Sequence, residues 1–160
     1  EKEFKDSWLE TNEFGDSYIK EELQGGYHYH FDQQFLEIFF NTGGKIELYN
    51  YSIKKNDLII SGEMIPPKTI RLVHPHLDNV TSEGVIIHEL GHYFDEKHQF
   101  SSSKQFTKLY KKYRTLFNQK TKKEYFAECF KEYVGGHQEK VKPFHSYMKT
   151  ITQKIRQKNK

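Results

Sequence analysis

Val85-Ile86-Ile87-His88-Glu89-Leu90-Gly91-His92-Tyr93-Phe94-Asp95 is the stretch from which the rest of the chain can be read. His88 and His92 are four residues apart, and Glu89 follows the first directly. In a helix, a spacing of four stacks two side chains on one face. Two imidazoles so placed can point ring nitrogens at one metal ion, and Glu89 stands close enough to activate a water there. Two ligands and a general base on one helical turn form the pattern of a zinc peptidase. A pattern with three fixed positions also arises by chance, so the remainder of the chain has to supply what such a site lacks.

The missing part is a third ligand, because a catalytic zinc takes three protein donors and keeps one open position. Glu124-Tyr125-Phe126-Ala127-Glu128-Cys129-Phe130 offers it on a second helix. Glu124 and Glu128 share a face, and the small Ala127 between them lets this helix approach the first closely. Two acids on a stripe flanked by Phe126 and Phe130 are costly unless a metal or hydrogen bonds compensate them. The alternative is an exposed Glu124 paired with Lys120 or Lys123. Asp95, three residues beyond His92, is set where the helix dipole disfavours an acid, so it is expected to bond the His92 ring or nearby backbone.

Outward from these two segments, the chain divides by period. Phe4, Trp8 and Leu9, then Tyr18, Ile19 and Leu23, predict a two-part helix ended by Gly25-Gly26. Tyr27-His28-Tyr29-His30 alternates like a strand; its two histidines share a face but have no third ligand nearby. Phe31, Phe35, Ile38 and Phe39 predict a helix closed by Asn41-Thr42-Gly43-Gly44. Three strands follow, at Lys45–Tyr51, Asp57–Ser61 and Thr69–His74, the last after a Pro66-Pro67 turn and before a His74-Pro75-His76 loop. The third is expected to offer a sheet edge to an extended substrate. From Thr81, where Thr81 or Ser82 can cap, the pattern is helical: to about Lys97, then Phe106–Leu116, Glu124–Val134 and Phe144–Ile155, with Asn118–Lys123 as a polar connection. The fold class is therefore α+β, one domain over 1–160, with a small mixed sheet in the N-terminal half and helices after it.

Composition excludes several classes. No apolar run reaches the length of a membrane span. A single cysteine, Cys129, rules out an internal disulfide and a cysteine-built metal site. The net charge of +3 conceals an asymmetry: residues 1–96 carry 8 Lys+Arg against 18 Asp+Glu, and residues 97–160 carry 17 against 4. A solvated, lysine-rich helix surface accounts for the basic half, and no recognition motif accompanies it, so nucleic acid is not an expected partner.

Ser82–His92 with Asp95, followed by Glu124–Phe130, resembles the catalytic domain of the anthrax lethal factor family, which includes the small secreted Pro-Pro endopeptidases. The likeness takes in Gly62–Pro66, Ile70–Leu72 and Ser103–Phe106 and covers roughly residues 45–150. It implies a zincin-like fold, Zn²⁺ held by His88, His92 and Glu124, Glu89 as general base, and Glu128 supporting the site. It also implies a secreted, toxin-like endopeptidase acting on peptide or protein substrates; a monomer is expected. One position departs from the family: seven residues before the third ligand, where a tyrosine is thought to assist the oxyanion, stands Phe117. Tyr113 or Tyr110 is the expected substitute. A rival reading is a weak or inactive relative that binds a protein partner.

Overall fold

A computed structural model describes residues 32–49, 53–55, 58–73, 82–119 and 121–157. The expected N-terminal helix, the His28/His30 pair, Phe31, the His74-Pro75-His76 loop and a Thr81 cap lie outside the described residues. Within them the chain runs α1 (Gln33–Asn41), β1 (Lys45–Tyr49), β2 (Ile53–Lys55), β3 (Leu58–Ile60), β4 (Gly62–Ile65) and β5 (Thr69–Val73). Four more α-helices follow: α2 (Ser82–His98), α3 (Lys104–Lys112), α4 (Lys122–Val134) and α5 (His145–Gln157). The α+β class, with strands first and helices second, is what the periodicity predicts.

β1, β5 and β4 form a mixed sheet in that order, β1 parallel and β4 antiparallel to the central β5. A short β2–β3 hairpin, of which the sequence reading had anticipated only the second strand, forms separately. Ile46, Ile70 and Leu72 are buried, giving the sheet an apolar face for the helices. The expectation that Thr69–His74 offers a free edge is not met. The turn at Pro66–Lys68 folds β4 back onto one side of β5 while β1 takes the other, so both of its edges are paired. The strand edge left beside the motif helix belongs to β4.

α2 packs on β4 and β5 and, most extensively, on α4. Two glycines make these approaches close. A Cβ on Gly62 would lie 2.6 Å from Val85 Cγ1, and one on Gly91 would lie 3.0 Å from the Ala127 Cα. Each is shorter than ordinary carbon contact. The helix pair therefore meets at Gly91 and Ala127, the small residue that the sequence had marked for this purpose.

Behind the pair, α1 closes the core. Asp32 caps it by accepting from the Gln34 N–H at 2.9 Å, and its Phe35 ring meets Phe94 of α2 and Phe130 of α4 edge-on, at 6.0 and 5.6 Å between centroids. Edge-to-face pairs of this kind add roughly 0.5–1.5 kcal/mol each to the apolar burial. α5 is tied to α1 through Arg156, which lies over the Phe35 ring and donates to Gln34 Oε1 at 3.0 Å.

The stripe Phe106–Leu116 is not one helix. α3 stops at Lys112, Tyr113 leaves helical geometry, and Leu116 is 40% exposed. The Tyr125 hydroxyl donates to the Tyr113 carbonyl, satisfying from α4 a group left open by the helix end. The aromatic rings of this region then pack inward on Tyr125 and Phe144 instead of continuing along a helix face.

Candidate metal centre

The His88–Glu89–His92 face of α2 meets the Glu124–Glu128 face of α4, and the side chains converge. His88 Nε2 lies 2.8 Å from Glu124 Oε2, and His92 Nε2 lies 3.0 Å from Glu124 Oε1. The two imidazoles stand nearly perpendicular, with centroids 4.9 Å apart. His88, His92 and Glu124 each bring a donor atom within 4.8 Å of the others, so the group can hold a metal ion. Two imidazoles and one carboxylate are donors that divalent first-row cations accept.

Glu128, one turn along α4, holds the far side of the first ring. Its Oε1 is 3.2 Å from His88 Nδ1, an ion-pair distance without the alignment of a full hydrogen bond. Its Oε2 is 2.8 Å from Lys131 Nζ. A carboxylate at Nδ1 favours the proton there and leaves Nε2 to face the centre, as metal-bound histidines require.

Charge and burial act together on these groups. Burial works to lower the His88 pKa, but Glu124, Glu128 and Glu89 outweigh it and raise it from 6.5 to about 9. Hydrogen bonds from His88 and His92 hold Glu124 well below the usual carboxylate range, against the effect of its partial burial. For Glu128, burial pushes upward, and His88 and Lys131 more than reverse it. Of the three carboxyls in the cluster, Glu89 is the one that moves up. It is 7% exposed, its burial disfavours the charged form, and the charges of His88 and His92 together with a hydrogen bond from the Met64 backbone only partly compensate. A carboxyl raised in this way holds a proton more readily than a free one, which suits it to accept a proton and return it.

The centre opens into a cleft of about 590 Å³ between β4, α2 and α4, lined on the strand side by Gly62, Glu63 and Met64. Among the expected site residues, His88, Glu89, His92, Glu124 and Glu128 are brought together there. Asp95 is placed differently. It lines the cleft, but its Oδ1 accepts from the buried Ser101 N–H at 2.7 Å, fixing the turn in which Gln99 takes a left-handed conformation with φ 60°. Of the two partners expected for Asp95, the structure shows the backbone one.

Tyr110, Tyr113 and Phe117 do not line the cleft. The Tyr110 and Phe117 rings pack edge-on against Tyr125, at 5.0 and 5.4 Å, and Tyr113 packs on Phe144 at 6.0 Å. The sequence reading missed Lys131, Lys123 and Gln119, which do line it. Lys131 was legible, since it follows Glu124 and Glu128 at helical steps of seven and three. Gln119 was not, because nothing in a polar connection shows which way it faces.

No protein-family profile matches the chain, and no curated protein matches it in sequence.

Proposed function

We propose that the chain is a zinc-dependent metalloendopeptidase of zincin-like fold that hydrolyses peptide bonds in peptide or protein substrates. The observation that carries this reading is the convergence of both Nε2 atoms on the two oxygens of Glu124, with Glu89 buried beside them at the wall of an open cleft. The motif resemblance to the anthrax lethal factor family supports the same reading, and with it a secreted protein. Bound between His88, His92 and Glu124, Zn²⁺ would supply Lewis acidity and lower the pKa of water.

The chain's own groups do the rest. Glu89 takes a proton from the attacking water and returns it to the leaving amine as the C–N bond breaks. Glu128 and Lys131 keep His88 oriented, so that the ring nitrogen facing the centre does not turn away. The edge of β4 that no described strand pairs supports an extended substrate through backbone hydrogen bonds, alongside the helix that carries the base. Met64 joins the two functions, because its backbone bonds Glu89 from within that strand.

The absence of Tyr110, Tyr113 and Phe117 from the cleft favours a second reading, a catalytically weak relative that binds a protein partner through the same groove. A digest of a diverse peptide library by zinc-loaded protein separates the two. Cleavage that vanishes in Glu89→Ala supports the peptidase; intact peptides with both proteins would refute it.

A further inference from the structure

Amide hydrolysis makes three demands: an activated water, a proton for the leaving amine, and a donor for the negative charge that grows on the carbonyl oxygen. Glu89 serves the first two. For the third, the hydroxyls expected from Tyr110 and Tyr113 do not line the cleft. Other donors do. Lys131 is engaged with Glu128 at 2.8 Å and lies 3.6 Å from Glu132. Ser61 and Gln119 are neutral and sit outside the helices and strands. Lys123 is a cation on α4, next in the chain to Glu124, and makes no hydrogen bond or ion pair among the described residues.

Lys123 is exposed, so its ammonium stays solvated and available at the mouth of the cleft. Lys123 lies in the first turn of α4, where the helix dipole disfavours positive charge. Its neighbour Lys122 is compensated by a hydrogen bond to Thr107 Oγ1 at 2.8 Å. Among the described residues Lys123 has no such partner, and it lines a cleft that already holds a proton acceptor and a candidate metal centre. The Lys123 backbone rides on the same helix as one of the metal donors, and its flexible four-carbon stem gives the ammonium reach within the cleft.

We propose that Lys123 donates the hydrogen bond that stabilises the carbonyl oxygen as it becomes an oxyanion, the task for which no tyrosine among the described residues lines the cleft. This rests on the peptidase reading above. The Nζ proton stays on nitrogen throughout: water oxygen joins the carbonyl carbon, the C–N bond breaks, and the transferred proton travels through Glu89. Lys123 acts only on developing charge, so its contribution belongs to the transition state and not to ground-state binding.

The test compares zinc-loaded wild type, Lys123→Met and Lys123→Arg in two assays, after matching zinc content. One is steady-state cleavage of a peptide selected by the library digest. The other is calorimetric binding of a phosphinic peptide, whose tetrahedral anion mimics the charge of the transition state. Loss of one oxyanion donor costs on the order of a hundredfold in rate. Lys123→Met is expected to lose about that factor both in kcat and in phosphinic-peptide affinity, with KM moved by less than about threefold. Lys123→Arg is expected to recover most of the loss. Unchanged kcat and affinity would overturn the proposal, as would a rise in KM alone or zinc lost from Lys123→Met. If wild type neither cleaves peptides nor binds the phosphinic peptide, the peptidase reading fails and this inference falls with it.

Discussion

Gly91→Ala tests the two-helix architecture of the site with a single methyl group. The added Cβ would stand 3.0 Å from Ala127 Cα, 3.2 Å from Phe130 Cβ and 3.3 Å from Ala127 O. Carbon atoms prefer about 3.5–4.0 Å, so α2 and α4 must separate by a few tenths of an ångström. None of the three neighbours is the movable end of a side chain, and overpacking of this kind costs about 1–3 kcal/mol. Alanine also gains about 1 kcal/mol of helix propensity over glycine, which offsets part of it. The expected net is a loss of about 1 kcal/mol, or ~2–4 °C in Tm for a chain of this size. The separation moves Glu124 away from His88 and His92 by more than the ~0.2 Å that metal sites tolerate. Zinc affinity is therefore expected to fall by about tenfold or more, read by chelator competition beside a thermal melt. A Gly91→Ala protein that gains stability and binds zinc as wild type does would refute this account, because it would mean the helices do not meet at that glycine.

The charge and hydrogen-bond pattern of the site carries three further predictions. With its pKa raised to about 9, His88 is protonated at neutral pH in the metal-free protein, so metal must displace that proton. Zinc affinity should rise about tenfold per pH unit between 7 and 9, a change of about 1.4 kcal/mol each, and a flat profile would contradict it. For the metal-free protein the same pair sets a stability window. The contribution of Glu124, whose pKa is depressed, is present above about 4.5 and lost as pH falls; that of His88 is present below about 6.5 and lost as pH rises toward 9. Thermal melts without metal should therefore favour pH 4.5–6.5 as far as this pair is concerned, while Glu89, whose raised pKa has the opposite sign, subtracts from stability as pH rises above about 4.5. Asp95→Ala should cost about 2 kcal/mol by removing a charged acceptor from the buried Ser101 N–H, with little change in zinc affinity. Lost zinc at unchanged stability would instead make Asp95 a partner of His92.

Much of this molecule was legible because its chemistry sits on regular elements. The spacings of His88, His92, Glu124 and Glu128 are helical, and helices preserve them, so four of the converging groups followed from counting residues. Ala127 was readable for the same reason. Where period failed, geometry came from long-range pairing. Nothing local says that the turn at Pro66–Lys68 brings β4 back onto β5, and so the strand beside the site was taken to be the wrong one. The stripe Phe106–Leu116 misled because aromatic residues at helical steps can be buried equally well from a turn, as Tyr113 is partly on Phe144. Tyr110, Tyr113 and Phe117 were assigned to the site by analogy with a pattern, and their rings instead join the cluster around Tyr125. Lys123 carries the reverse lesson. Its sequence reading was an exposed cation that could pair with Glu124, and only the lining of the cleft shows it to be unpartnered there.

The central claim is that His88, His92 and Glu124 hold zinc for a hydrolysis in which Glu89 moves the proton. Its most direct test is one preparation each of wild type and Glu89→Ala, assayed for bound zinc and for cleavage of the same peptide library. The account predicts about one zinc per chain in both proteins, with cleavage in wild type alone. Equal cleavage by the two proteins, or no zinc retained by wild type, would contradict it.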